Sequence, residues 1–286
     1  MTPTNAGTVP RRRPFDPVAF LAVPAIAYLL FVYALPLLWL LVRSVIGPKG
    51  FTLEPIASFF ADPFNWRVMA NTLKIAGLVA LVCLLVGYPT AFALAWARGW
   101  VQVVLLAAII LPLSIGVVVK AFAWQIVLRR DGIVSSTMVT LGLWDVPVRL
   151  LFTETGLVLG AANVFLPFMI LPVYSVVKLM DLRLNEAGAT LGATPFYRFR
   201  RITLPLTLPG VVTGTVFVFS LSVSMFVIPS LLIGDRFQTL ATLMGRSFLL
   251  MRNEQLGSTT AAVLLVLAVS IVVGSGTLAR RLGDNA

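Results

Sequence analysis

The sequence predicts an all-α polytopic membrane protein with about six spanning helices. Three observations carry that prediction. Hydrophobic residues make up 59% of the chain and charged ones 12%, with a mean hydropathy of +0.97, which is more apolar surface than a soluble domain of this length can bury. Six stretches contain no Asp, Glu, Lys or Arg: Val18–Val42, Ile75–Ala97, Gly99–Val119, Thr155–Val177, Ile202–Gly234 and Gln255–Ala279. Each reaches the roughly 20 residues a helix needs to cross a bilayer core of about 30 Å. The runs are continuously apolar where barrel strands would alternate, so they read as helices.

Taken in order, helices are expected at 18–42, 69–96, 100–127, 155–179, 207–233 and 257–279. The first follows Arg11, Arg12 and Arg13 as a signal sequence would, but it is too long for an h-region and lacks a small-x-small cleavage site, so it is expected to be retained. The organisation that follows is a flexible cytoplasmic start at 1–17, a first helix and external loop at 18–68, a core at 69–279 containing a polar loop at 181–205, and a cytoplasmic tail at 280–286. Arg98 alone separates the second and third runs, which makes that turn short. External segments carry the turn formers Gly47-Pro48, Asp62-Pro63 and Asp131-Gly132. Basic clusters at both termini, with Arg183, Arg198, Arg200 and Arg201 in the polar loop, place these parts in the cytoplasm, although Lys49, Arg129, Arg130, Arg149, Arg236, Arg246 and Arg252 then lie outside.

Several classes of chemistry are excluded. The pI near 10.8 comes from basic residues scattered over short loops on both faces, which suits anionic lipid headgroups and not nucleic acid. Cys83 is the single cysteine and there is no histidine, so the usual zinc, haem and Ser-His arrangements lack their groups. No G-x-x-x-x-G-K-[ST] loop is present, so any nucleotide hydrolysis falls to another chain.

The polar loop holds the most specific signal. Glu186 to Pro205 reads EAGATLGATPFYRFRRITLP. Leu184 to Leu191 is expected to form a short helix capped by Asn185 or Asp181 and ended by a positive-φ Gly192. Thr194-Pro195 is expected to start a second short helix carrying Phe196, Tyr197 and Phe199. The spacing E-A-x-x-x-x-G, nine residues, I-x-L-P resembles the EAA loop of binding-protein-dependent ABC importers, with Gly188 replacing the second alanine. Val119–Trp124, Asp131–Val134, Leu166–Pro172 and Pro229–Gly234 are similar to spermidine/putrescine-type permeases, first-subunit branch. The resemblance implies a type I importer permease of the bacterial inner membrane. It implies two ATP-binding subunits that carry ATP and Mg, a second and different permease, and a periplasmic solute-binding protein, with no cofactor in this chain. It also implies that Glu186, Ala187, Gly188, Gly192, Arg198, Arg201, Ile202, Leu204 and Pro205 couple the membrane helices to the ATPase.

Polar side chains within the apolar runs are the candidates for a solute pathway: Lys120, Trp124, Asn163, Ser220 and Ser224. Each has a simpler account: interfacial anchoring for Lys120 and Trp124, and helix packing for Asn163 and the serines. Pro167 and Pro172 are expected to break the hydrogen-bond ladder of the fourth helix, and Pro229 that of the fifth near its outer end. The runs contain no central carboxylate, and Lys74 and Lys120 near the outer ends would repel a polycation, so a solute bearing a carboxylate or phosphonate is expected over a polyamine. The same lack of intramembrane Asp, Glu or His weighs against the alternative, an ATP-independent secondary transporter or channel.

Overall fold

The computed structural model describes residues 17–47, 50–181, 183–234 and 237–283. Arg11 to Arg13, Lys49, Arg236 and the end of the expected tail lie outside them.

The first span is α1 (Pro17–Leu29) and α2 (Leu35–Val45), joined by a π turn at Leu30–Ala34. That turn ends two residues before Pro36, whose ring would clash with the carbonyl four residues back; widening the turn by one residue relieves the clash. None of this span's apolar window is buried against the rest of the chain. A short helix α3 (Glu54–Ala61) leads into α4 (Pro63–Trp96). Asp62 caps α4, its Oδ1 accepting the Phe64 amide at 2.8 Å. The helix therefore starts before the expected residue 69, and its 34 residues span about 50 Å at 1.5 Å each. Arg67 and Lys74 are exposed on its N-terminal half.

The expected single helix at 100–127 is two: α5 (Trp100–Ile110) and α6 (Val117–Val127), bent by 104° across a 3₁₀ turn at Leu111–Ser114. Pro112 removes a backbone donor, and Ile115 and Gly116 leave the helical region at ψ 126° and 143°. A charge-free run reports polarity alone and cannot show such a bend.

After α7 (Ile133–Thr140), α8 (Glu154–Leu179) continues through Pro167 and Pro172, which leave gaps in its hydrogen-bond ladder without ending the helix. It is the central helix, with 67% of its apolar window buried. The expected second short helix of the polar loop is instead the start of the next span. After α9 (Arg183–Thr190), helix α10 (Pro195–Arg198) passes through a second π turn, Phe199–Thr203, directly into α11 (Leu204–Ser224). This turn too ends two residues before a proline, Pro205. The break expected at Pro229 falls earlier, at Met225 and Phe226, and Pro229 sits in the first turn of α12 (Val227–Leu232), where no backbone donor is needed. Then come α13 (Leu240–Leu249) and α14 (Glu254–Gly283).

Helices α4, α8 and α11 pack on one another and form the core. Ile75, Cys83, Leu157, Met169 and Val218 are fully buried between them. Helix α14 lies on α11, α13 and α2, and α12 bridges α6 and α8. Five helices are long and apolar enough to span a bilayer, six if the bent α5–α6 pair counts as one.

Candidate coupling site

The loop between α8 and α11 is built by local chemistry. Asp181 Oδ1 accepts the Arg183 amide at 2.9 Å and so serves as the N-terminal cap of α9. The helix ends on Gly192 at φ +79°, with Gly192 N–H donating to Ala189 O and Ala193 N–H to Gly188 O, both at 3.0 Å. These two bonds are the Schellman pair that satisfies the last carbonyls of a helix. Thr194 Oγ1 then accepts the Tyr197 amide at 3.3 Å and starts α10 behind Pro195.

Folding sorts the expected coupling residues into two sets. Glu186 and Ala187 lie exposed on α9, with Glu186 in its first turn, where a carboxylate favours the helix dipole. Glu186 makes no ion pair among the described residues. Gly192, Arg201, Leu204 and Pro205 are exposed as well. Phe196 and Tyr197 project outward, 72% and 56% exposed, and Leu191 is exposed as well.

Gly188 faces inward. A methyl group placed on it would stand 3.0 Å from Ile202 Cδ1 and 3.3 Å from Arg198 Cδ and Cγ. The small residue thus lets α9 close on its own following helix. Arg198 is also internal: its Nη1 donates to Asn185 O at 3.2 Å, while its Nε is buried without a partner.

Residues outside the expected set join this loop to the core. Asn185 Nδ2 donates to Thr203 Oγ1 at 3.3 Å. Thr207 Oγ1 donates to Thr203 O at 2.9 Å and meets Tyr88 Oη of α4 at 3.0 Å. The Tyr88 ring stands edge-on to Phe199 at 6.2 Å. Thr203 and Thr207, four apart on a helix, are legible in the sequence as a same-face pair; nothing local announces Tyr88, 119 residues away from Thr207.

Of the expected pathway residues, the structure brings two together. Trp124 Nε1 on α6 donates to Asn163 Oδ1 on α8 at 3.2 Å. Lys120 lies one turn earlier on α6, half-buried. On α11 the Ser224 hydroxyl donates to Ser220 O at 3.0 Å, and the Ser220 hydroxyl is buried without a hydrogen bond. At the far end of the bundle Lys74 Nζ reaches Glu154 Oε2 at 2.5 Å, tying α4 to α8. Glu54, Asp62, Asn65 and Gln255 are among the residues lining a depression of about 730 Å³.

Against this geometry the comparisons with known proteins are specific. The family of binding-protein-dependent transport system inner membrane components matches over residues 84–277, which takes in the whole loop. The chain belongs to this family. The permease is 32% identical over 253 residues to the spermidine/putrescine transport system permease protein PotB of Haemophilus influenzae, covering 86% of this chain and 88% of that one. It is 29% identical to the molybdenum transport system permease protein ModB of Mycobacterium bovis, covering 91% and 94%. A bacterial alginate ABC transporter solved with its pentasaccharide-bound periplasmic protein shares the fold, with a TM-score of 0.76 over 93% of this chain and 94% of that one at 18% identity. The expected all-α type I importer fold is therefore the fold of this permease.

Proposed function

We propose that this permease is one of two unlike membrane halves of an ATP-driven importer, and that its 181–205 loop docks on an ATP-binding subunit while a periplasmic binding protein delivers solute to the opposite face. The observation that carries this reading is the exposed end of the loop. Glu186, Ala187, Leu191, Phe196 and Tyr197 form a helix-borne apolar and acidic knob that the rest of the chain does not cover, and aromatic anchors of that kind dominate interface energetics. ATP and Mg would reside on the partner subunits, whose closure would press the loops together and open the pathway outward.

We take the solute to be an organic cation of the polyamine class. The expectation of an acidic solute rested on the lack of a central carboxylate and on Lys74 and Lys120, and of these two cations Lys74 is paired with Glu154. The outer depression carries Glu54 and Asp62, and a relative that covers most of the chain is a spermidine/putrescine permease. Calorimetric titration of the cognate binding protein should show tight binding of spermidine or putrescine and none of carboxylates or phosphonates. Binding of the acidic panel alone would reverse the assignment.

The orientation has its own test. Residues 145 and 194 lie beyond opposite ends of α8. Asp145→Cys should react with an impermeant thiol reagent in intact cells and Thr194→Cys should not. Cys83 is fully buried and contributes no background. Labelling of Thr194→Cys from outside would invert the topology.

A further inference from the structure

The junction between the 181–205 loop and α11 is weakly braced along its own axis. Pro205 and Pro209 cannot donate to the carbonyls four residues back, so two backbone bonds of an α-helical ladder are missing within one and a half turns, directly after a π turn. A push on α9 that travelled through α11 alone would be spent in bending this stretch. Yet the same stretch is tied sideways by a continuous chain of polar contacts, buried at its centre and half-buried at both ends. It runs from Asn185 on α9 to Thr203 at 3.3 Å, from Thr203 O to the Thr207 hydroxyl at 2.9 Å, and from Thr207 to the Tyr88 hydroxyl on α4 at 3.0 Å. Thr203 is 7% exposed and Thr207 fully buried, where replacing a hydrogen bond with nothing is costly. Arg198 holds the α9 end through the Asn185 carbonyl, and the Phe199 and Phe92 rings hold Tyr88 at 6.2 and 4.9 Å.

We propose that Asn185, Thr203, Thr207 and Tyr88 are positioning residues that pass displacement of α9 to α4, so that two of the three core helices, α4 and α11, move together when the ATPase moves the loop. The proposal rests on the importer reading given above. It names the route inside the chain, and a route in series requires that cutting it twice be no worse than cutting it once.

The test uses the assembled complex in proteoliposomes with its binding protein and polyamine, reading solute imported per ATP hydrolysed. Thr207→Val and Tyr88→Phe should each lower that ratio about fivefold, the loss expected for one hydrogen bond of ordinary net strength. The double variant should fall no further than the worse single. Thr207→Ser keeps the hydroxyl and should stay within about twofold of the unaltered complex. Additive losses, a serine variant as impaired as the valine one, or an unchanged ratio in both singles would each overturn the tie. Import per ATP by the unaltered complex tests the importer reading separately, so the two ideas fail on different measurements.

Discussion

Gly188→Leu should cut import by more than about tenfold while the protein remains in the membrane at its usual level, and Gly188→Ala should change import little. The reason is the space at that position. The methyl of alanine would meet Ile202 Cδ1 at 3.0 Å and the Arg198 stem at 3.3 Å. All three atoms belong to flexible side chains that can move a few tenths of an ångström. Leucine adds three further carbons beyond a methyl that already stands 3.0 to 3.3 Å from its neighbours, and overpacking of that kind costs about 1–3 kcal/mol. Helix α9 is held to the bundle mainly by this contact, the Arg198–Asn185 bond and the Asn185–Thr203 bond. The cheapest relief is therefore for α9 to tilt away, carrying Glu186 and Ala187 out of register with the ATPase. Gly192 makes the contrast. It stands in open space at φ +79°, so Gly192→Ala costs only the left-handed backbone strain of about 1–2 kcal/mol and should impair import less. Transport assays on equal amounts of membrane-inserted protein decide the order; equal import by Gly188→Leu and the unaltered permease would refute the packing argument.

Gly214→Leu should do something different: it should remove the folded protein. Gly210 and Gly214 are four apart on α11 and lie on the backbone of α8. A methyl at Gly214 would sit 3.1 Å from Met169 O and 3.3 Å from Met169 Cα, and one at Gly210 would sit 2.9 Å from Pro172 O and 3.1 Å from Val173 Cα. Backbone atoms of a central helix cannot step aside as side-chain ends do. This is the small-xxx-small crossing that lets membrane helices approach closely, and bulk there forces them apart. Gly214→Ala should destabilise by about 1–3 kcal/mol, and Gly214→Leu should leave little protein in the membrane. Gly77 on α4 faces open space, so Gly77→Ala is the control that should keep or slightly raise the melting temperature in detergent. A Gly214→Leu protein that melts with the unaltered one would mean the crossing does not hold the fold.

Much of this architecture is legible in the amino-acid sequence. Charge-free length alone locates five of the six spans, because lipid tolerates no unpaired backbone and few charges. The turn chemistry of the loop is equally local: Asp181 caps, Gly192 turns and Thr194-Pro195 restarts the helix as expected. The two π turns carry a signal too, each ending two residues before a proline, although a proline alone does not say that the helix widens there where it could have broken.

What the sequence determined by itself, then, was polarity, span length and the conformations of short segments, all set by interactions between residues close in the chain. Tertiary structure decided the rest. It bent the third span by 104° to seat α6 on α12, turned Gly188 and Arg198 inward, paired Lys74 with Glu154, and set Tyr88 against Thr207 across 119 residues. Those outcomes depend on which helix faces meet and how closely. In an all-apolar chain one face resembles another until packing selects among them.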